Sequence, residues 1–229
     1  MMIRRNLLLV GAAAIALIGI GRLIMAPTAQ AESATALPTP AVDQPAAQAG
    51  GLQTTVLAGG CFWGVQAVFE HLKGVTSAVS GYAGGHVESP AYDTVSTGLT
   101  GHAESVSVTF DPSQISFGQI LMVYFSVAHD PTQLNRQGPD SGSQYRSAIF
   151  YSSEEQKRIA TAYVEQLNMA KSYPGKIVTQ IAPFTAFYRA EEYHQDYLKS
   201  HTNQPYIVYN DLPKLEHLKK EFPELYREY

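Results

Sequence analysis

The order of β-prone and helical segments predicts an α+β fold, a ferredoxin-like βαββαβ plait with additional strands. Four short β-prone runs alternate with two segments of helical apolar spacing, in the order strand, helix, strand, strand, helix, strand. Two long segments with little core pattern, residues 83–104 and 129–146, predict long loops, which are usually functional in a domain of this size. The C-terminal region is expected to be irregular.

The first half of the plait follows from its apolar periodicity. Thr54–Ala58 is β-prone and ends at Gly59-Gly60, after which apolar side chains recur at helical spacing over Phe62–His71. Val75–Tyr82 is a second β-prone run. Ser105–Phe110 alternates apolar and polar residues, which is typical of a half-buried strand. The glycine pair therefore joins the first strand to the first helix.

The second half is predicted in the same way. Ser116 is placed to cap a helix that runs to about Ala128, and Ser147–Tyr151 is the next β-prone run. One of the two serines that follow it caps a helix that runs to about Lys171. Three further elements are predicted, namely a strand at Lys176–Ile181, a short helix at Glu191–Ser200 and a surface helix at Lys214–Tyr226.

The composition indicates a single globular domain of ordinary size. Of the 229 residues, 45% are hydrophobic and 16% are charged, and the formal net charge is −4. Binding to nucleic acid is not expected, because it requires a basic surface and the lysines of 214–220 alternate with glutamates. Residues 32–52 are rich in Ala, Pro, Gln and Thr and predict a flexible linker, which leaves residues 53–229 as the functional domain. We expect it to act as a monomer.

Residues 1–31 have the pattern of an export signal. Arg4 and Arg5 precede an uncharged apolar run, and Ala29-Gln30-Ala31 is a small-residue cleavage site. Two alternatives stay open, a cleaved signal peptide or an uncleaved membrane anchor through residues 7–26. Both predict a protein exported to the periplasm or another extracytoplasmic compartment.

The single cysteine, Cys61, is the side chain with the most distinctive setting. One cysteine excludes an internal disulfide. Cys61 follows Gly60 at the start of a helix, where unpaired N–H groups and the helix dipole favour a thiolate. The dipole contributes roughly 0.3–1 kcal/mol, less than one pKa unit, so a second activator or the substrate must help. The alternative is a buried cysteine that acts only as a small apolar side chain.

Several short motifs occur along the chain in one order. They are Gly-Cys-Phe-Trp-Gly at 60–64, Gly-Tyr-Ala-Gly-Gly at 81–85, Gly-His-Ala-Glu at 101–104, His-Asp-Pro at 129–131, Arg-Gln-Gly at 136–138, Asp140, Gln-Tyr-Arg-Ser at 144–147 and Tyr-His-Gln-Asp-Tyr at 193–197. Together they resemble the class A peptide methionine sulfoxide reductases over about Thr54–Leu198. The resemblance implies an enzyme that repairs oxidised proteins by reducing the S epimer of methionine sulfoxide, in proteins and as the free amino acid.

The resemblance implies four residues for the chemical step. In that family the cysteine of the Cys-Phe-Trp motif, here Cys61, attacks the sulfoxide sulfur and becomes a sulfenic acid. The glutamate of Gly-His-Ala-Glu, here Glu104, protonates the departing oxygen, and an apolar pocket would raise its pKa so that it carries the proton. Family tyrosines that hydrogen-bond this oxygen match Tyr92 and Tyr145. From the residues alone, exposure or ordinary packing remains the alternative for each of the last three.

The resemblance also implies a binding wall and a supporting residue. Phe62 and Trp63 would receive the methyl group of the substrate, which is electron-poor and suits an aromatic face. Gly60 lets the substrate and the backbone approach closely. Asp140 matches the pocket aspartate that orders the site, and His194 is expected to order the loops around the pocket. Acidic residues precede His194, but no second suitable histidine lies at ligand spacing, so no metal is expected.

This chain departs from the pattern of the family at its C-terminal end. Many members carry further cysteines there that resolve the sulfenic acid, whereas the tail from Thr202 to Tyr229 has none. An external thiol must then reduce Cys61, with a thioredoxin-like protein as the first candidate, a glutaredoxin-like protein or glutathione as the next, and dithiothreitol in vitro. No bound cofactor is expected. Because reducing thiols are scarce outside the cytoplasm, export predicts a dedicated exported reductant.

Three other functions that use the same site stay open. A one-cysteine peroxidase needs an arginine or threonine beside the thiol, which the segment around Cys61 lacks. A non-catalytic module would bind oxidised peptides through its aromatic residues alone, and a cysteine hydrolase would pair Cys61 with a histidine. Peroxide turnover without sulfoxide turnover, a biological effect that survives Cys61→Ser, or cleavage of an ester or amide would favour these functions in turn.

Overall fold

The structure, a computed structural model, describes residues 36–44 and 51–228. The strands are β1 (Gln53–Gly59), β2 (Val75–Ala83), β3 (Ala103–Phe110), β4 (Arg136–Gln137), β5 (Asp140–Ser141), β6 (Ser147–Tyr151), β7 (Gln180–Pro183) and β8 (Phe187–Arg189). The α-helices are α1 (Phe62–Glu70), α2 (Tyr92–Val95), α3 (Phe117–Val123), α4 (Glu154–Met169), α5 (Tyr197–Ser200) and α6 (Leu212–Glu221). Shorter or wider helical turns lie at Tyr124–Ala128, Ser143–Tyr145, Glu192–His194 and Ile207–Asp211.

The predicted export signal or anchor, residues 1–31, lies outside the described residues. Within the described ranges, no helix is long and apolar enough to cross a membrane.

A six-stranded sheet forms the centre of the domain, in the order β7-β6-β1-β3-β2-β8. Its middle four strands, β6-β1-β3-β2, are all antiparallel to their neighbours, which is the strand order of the predicted βαββαβ plait. β7 extends the sheet in parallel beside β6, and β8 extends it antiparallel beside β2. The prediction of a ferredoxin-like plait with additional strands is confirmed.

Two helices begin at the serine caps that the sequence predicts. The Ser116 hydroxyl accepts a hydrogen bond from the Gln119 N–H at 3.1 Å, and the Ser153 hydroxyl accepts one from the Gln156 N–H at 3.1 Å. Each cap satisfies a backbone donor that the first helical turn leaves unpaired. The main core lies between these helices, α1 and the sheet, and it includes residues that are 0% exposed, such as Val68, Phe69, Val106, Ile120 and Ile159.

Two predicted elements in the second half form differently. The strand predicted at Lys176–Ile181 begins only at Gln180, because the Val178 N–H is already engaged by the Pro131 carbonyl at 2.8 Å. The helix predicted at Glu191–Ser200 is interrupted by Asp196, which has a left-handed φ of 51°. The interruption leaves two separate helical turns, at 192–194 and 197–200.

The C-terminal tail is partly buried in the core and does not lie only on the surface. The predicted surface helix at 214–226 ends at residue 221, and Leu218 and Phe222 are buried in the main core. Beyond the helix, Tyr226 forms an isolated β-bridge with Leu72 at the end of α1. The tail therefore packs into the main core and pairs with the residues that follow α1.

Residues 36–44, called the N-terminal strap below, are docked on α3 and α4. The Asp43 carboxylate accepts a hydrogen bond from the Gly118 N–H at 2.9 Å and another from the Ser116 hydroxyl, at the start of α3. The Gln166 side chain donates to the Thr39 carbonyl at 2.8 Å and accepts from the Ala41 N–H at 2.9 Å.

Apolar contacts add to these hydrogen bonds, since Leu37 and Val42 pack against the main core. The expectation of a flexible linker over residues 32–52 therefore needs correction for the strap, because its backbone and apolar side chains have partners. Residues 32–35 and 45–50 lie outside the described residues.

We expect Asp43→Ala to lower the free energy of unfolding by about 1 kcal/mol, because a carboxylate that caps a helix contributes of that order. Urea denaturation of the full chain measures this loss. Glu88→Ala, which removes an exposed carboxylate from a loop, is the matched control and should leave the transition unchanged. Equal stability of the Asp43 variant and the wild type would contradict the proposed contribution of the strap.

Candidate active site

Cys61 lies at the junction of β1 and α1, as predicted, and is the N-cap residue of the helix. Its side chain is buried, and burial raises its pKa well above the ordinary value, with further increases from the carboxylates of Glu104 and Asp211. The Trp63 N–H of the first helical turn lowers the pKa, as the sequence argument requires, but burial outweighs it. The thiol is therefore protonated at neutral pH in the free protein.

Gly60 fixes the turn in front of Cys61. It has a φ of +90°, which side chains rarely allow, and a Cβ there would lie 2.5 Å from the Cβ and Cγ of Gln137. The Gln137 amide is itself held by Asp130, whose N–H donates to Oε1 at 3.0 Å and whose carbonyl accepts from Nε2 at 3.1 Å. Gly60 thus makes room for the long loop at 129–146, in addition to its predicted role beside the substrate.

Glu104 is buried next to the cysteine turn, which removes the alternative of an exposed residue. It lies on β3, is 2% exposed, and its Oε2 accepts a hydrogen bond from the Phe62 N–H at 3.0 Å. Burial raises the pKa of Glu104 to about 8, against the opposing effect of the Phe62 hydrogen bond and with a further increase from Asp140. The carboxyl is therefore mostly protonated at neutral pH.

The aromatic residues after Cys61 form a wall with His194. Phe62 is buried, and its ring centre lies 5.1 Å from that of His194. Trp63 is half-buried, and its indole N–H donates to His194 Nδ1 at 3.1 Å. The Trp63 ring stacks on Tyr197 at 3.8 Å and meets the edge of Tyr206 at 5.9 Å. His194 therefore lies in the wall itself and orients Trp63, which is a closer involvement than the ordering of loops.

The two candidate phenols lie close enough to Glu104 to be influenced by its charge. Tyr92 begins α2, and its ring centre lies 4.3 Å from that of His194. Tyr145 ends the short turn at 143–145. Burial and the proximity of Glu104 raise the pKa of both phenols, so both are neutral O–H donors at physiological pH. Asp140 reaches the site through a hydrogen bond that its carboxylate accepts from the Tyr206 hydroxyl.

Glu191 is a site residue that the sequence argument missed. Its Oε1 accepts from the Tyr92 N–H at 2.8 Å, and its Oε2 accepts from the Tyr82 hydroxyl at 2.8 Å. Tyr82 lies on β2, directly opposite Glu104 across the sheet ladder, and its ring centre lies 5.9 Å from that of Phe62. One carboxylate thus ties β2 and the start of α2 to the segment that carries the histidine of the wall.

Three further residues around the site, Tyr197, Tyr206 and Asp211, also come from the part of the chain beyond residue 190. Tyr197 belongs to the Tyr-His-Gln-Asp-Tyr motif at 193–197, so the motif could have indicated it as a site residue. Tyr206 and Asp211 lie in the segment predicted to be irregular, where periodicity gives no position. Among the described residues, no group of three or more His, Cys, Asp or Glu side chains could hold a metal ion.

Comparison with known proteins places the chain among close relatives. The family model for peptide methionine sulfoxide reductase matches residues 53–226. The peptide methionine sulfoxide reductase MsrA 2 of Mesorhizobium japonicum is 61% identical over 178 residues, which cover 78% of this chain and 91% of that protein. The protein of the same name from a Synechocystis species is 43% identical over 209 residues, 90% of this chain and 95% of that one.

Solved structures give the same result. Mxr1 from Saccharomyces cerevisiae in reduced form superposes with a TM-score of 0.59 at 33% identity, over 66% of this chain and 87% of that one. Methionine sulfoxide reductase A of Corynebacterium diphtheriae superposes with a TM-score of 0.59 at 34% identity, over 73% and 83% respectively. The resemblance drawn from the sequence motifs is confirmed, and the chain belongs to the class A peptide methionine sulfoxide reductases, which reduce methionine sulfoxide in proteins to methionine.

Proposed function

We propose that reduction takes place at Cys61 with Glu104 as the proton donor. The observation that carries this assignment is the hydrogen bond from the Phe62 N–H to Glu104 Oε2 at 3.0 Å. It fixes a buried, mostly protonated carboxyl beside the residue that follows the cysteine. A sulfoxide oxygen leaves poorly, so the reaction requires a proton source near the nucleophile.

The step balances without any other reactant. Cys61 attacks the sulfoxide sulfur while Glu104 gives its proton to the oxygen, and the carboxylate then recovers a proton from the thiol. The attack forms an S–S bond between Cys61 and the substrate sulfur. This bond and the S–O bond of the substrate then break as the hydroxyl group moves to the Cys61 sulfur, which yields a methionine thioether and a Cys61 sulfenic acid. The neutral phenols of Tyr92 and Tyr145 are suited to donate hydrogen bonds to the oxygen as negative charge develops on it.

The aromatic wall supports recognition of the methyl group on the sulfoxide. Trp63 is held on three sides, by His194, Tyr197 and Tyr206, so its ring presents a fixed face. A methyl group next to an oxidised sulfur is electron-poor and packs well on such a face. Stereoselectivity follows from this arrangement. When the methyl group of the substrate lies on the aromatic wall and its sulfoxide oxygen lies at Glu104, only one epimer presents its sulfur to Cys61.

Regeneration of the thiol is assigned to an external reductant. The chain has one cysteine, so the sulfenic acid has no internal partner. An external thiol displaces water from the Cys61 sulfur to form a mixed disulfide, and a second thiol releases Cys61 and leaves as a disulfide. A thioredoxin-like protein fits best because its paired cysteines supply both thiols, and a glutaredoxin-like protein or glutathione is the alternative. The scheme uses no bound cofactor.

Export is proposed from the N-terminal sequence. The basic start and apolar run of residues 1–31 support delivery to the periplasm or another extracytoplasmic compartment, with cleavage after Ala31 or retention through residues 7–26 as the two routes. Either route keeps the N-terminal strap on the domain, since the strap begins at residue 36. The active unit is proposed to be a monomer.

Turnover of separated epimers tests the assignment of Cys61. With dithiothreitol as reductant, we expect the wild type to reduce a peptide with S-methionine sulfoxide and to leave the R epimer unchanged. Without reductant, mass spectrometry should detect one added oxygen on Cys61 after a single turnover. Cys61→Ala should abolish both signals. Sulfoxide reduction by this variant, or hydrogen peroxide as a better oxidant of Cys61 than the S epimer, would argue for a different reaction.

The pH dependence of the single-turnover rate tests Glu104. Because its pKa is about 8, the protonated form prevails at neutral pH and is lost as the pH rises through that value, so the rate should fall there. Glu104→Gln should lower the rate by roughly two to four powers of ten, the range for a positioned general acid, and should abolish this decline. A near-normal rate in the glutamine variant would exclude Glu104 as the acid.

A double-mutant cycle tests whether Glu191 acts through Tyr92. We expect Glu191→Ala to lower kcat/KM about tenfold, since hydrogen bonds to a charged group are worth ~1.5–3 kcal/mol and tenfold corresponds to ~1.4 kcal/mol. In a Tyr92→Phe background the same change should have little further effect. Glu192→Ala, which removes the exposed neighbouring carboxylate, is the matched control. Additive losses from Glu191→Ala and Tyr92→Phe would show that the two residues act independently.

A further inference from the structure

A buried ion pair beside the active site has no role in the scheme above. Asp211 is 0% exposed, and its Oδ1 accepts a hydrogen bond from Lys214 Nζ at 3.1 Å. Lys214 is itself mostly buried, with a side chain that is 19% exposed. The second carboxylate oxygen, Oδ2, has no hydrogen-bond partner among the described residues. Burying a charge with an unsatisfied oxygen is costly, so the pair calls for an explanation beyond stability.

The pair lies directly against the first turn of α1. A Cβ on Gly64 would overlap Asp211 Oδ1 and would lie 2.8 Å from Lys214 Nζ. Only glycine leaves this space open, which accounts for the second glycine of the Gly-Cys-Phe-Trp-Gly motif. Gly64 follows Cys61 by three residues, so the ion pair packs against the same helical turn that begins at the thiol.

The charges around Cys61 come from several elements. The groups that face it are the carboxyl of Glu104 on β3, the Asp211 carboxylate, the Lys214 ammonium and the phenols of Tyr92, Tyr145 and Tyr206. At neutral pH the phenols are uncharged and Glu104 is mostly protonated. Burial raises the pKa of Asp211, and the Lys214 ammonium opposes this rise. The two partners of the ion pair act on the thiol in opposite directions, Asp211 raising its pKa and Lys214 lowering it.

We propose that Asp211 and Lys214 are positioning residues for Cys61, held against Gly64 as a neutral pair so that neither an isolated carboxylate nor an isolated ammonium sets the charge of the thiol. The inference rests on the proposed function in one respect, that Cys61 is the nucleophile. The pair acts through the first turn of α1 and does not touch the substrate. Breaking either partner leaves one buried charge uncompensated, and the sign of that charge decides the effect on Cys61.

Alkylation of Cys61 by iodoacetamide across pH tests the inference in the full chain, since the thiolate is the form that reacts. Asp211→Asn leaves the ammonium unbalanced and should speed alkylation at neutral pH by about three- to tenfold, which corresponds to ~0.5–1 pKa unit. Lys214→Gln leaves the carboxylate unbalanced and should slow alkylation by at least about threefold on the same scale. The double variant should return to within about twofold of the wild type.

The sign pattern separates this role from a purely structural one. A structural pair would shift alkylation in the same direction in both single variants, because either change would loosen the helix. Glu216→Gln removes an exposed carboxylate from the same helix, α6, and should leave the rate unchanged. Thermal unfolding checks that each variant is folded, and the double variant keeps the test decisive if one single variant is not. Any other pattern, including equal rates in all variants, overturns the proposal.

The readout needs no sulfoxide. A failure of sulfoxide turnover with the expected alkylation pattern would therefore count against the proposed function alone. Normal turnover without the pattern would count against the ion pair alone.

Discussion

The hydrogen bond between the Phe62 N–H and Glu104 joins the proposed proton donor to the turn that carries the proposed nucleophile. It uses a backbone donor that the first turn of a helix leaves unpaired, and it brings β3 to the helix that carries Cys61. The same burial that protects this bond keeps both Glu104 and Cys61 protonated at neutral pH. In the proposed mechanism the free enzyme therefore holds a neutral thiol and a neutral acid, and the sulfoxide supplies the polarity that starts the reaction.

Irregular segments pack around the site that contains this bond. Gly60 admits Gln137 from one side of the turn, and Gly64 admits Asp211 from another. Glu191 fixes the start of α2 at a third position. Each contact depends on a residue far away in sequence. At Gly60 and Gly64 a side chain on the turn would be too large, and at the start of α2 the contact pairs a backbone N–H donor that the helix leaves free. The two glycines of the cysteine motif are thus explained by packing as well as by the approach of substrate.

Periodicity predicts the regular plait and the residues that lie on it, because Cys61, Phe62 and Trp63 share one helix and the strand that carries Glu104 alternates along its length. It fails where tertiary hydrogen bonds decide the backbone. The helix expected at 191–200 is broken because Gln195 binds both backbone groups of Ser80 at the edge of β2, with contacts of 3.0 Å. The strap was expected to be flexible because its composition carries no period, yet it docks through partners on α3 and α4 that lie more than seventy residues away.

The protonated thiol also bears on how an enzyme with one cysteine, proposed here to be exported, survives oxidants. Peroxides react with thiolates far faster than with thiols, and a sulfenic acid that meets more peroxide is lost irreversibly as a sulfinic acid. A low pKa would therefore make Cys61 prone to oxidation by peroxide under the conditions in which the enzyme is needed. The chain has no second cysteine to trap the sulfenic acid as a disulfide. In the proposed mechanism, burial raises the pKa of Cys61 and keeps its thiol a poor nucleophile until a sulfoxide lies between Cys61 and Glu104. Selectivity for sulfoxide over peroxide would then follow from desolvation of the thiol and would need no dedicated recognition residue.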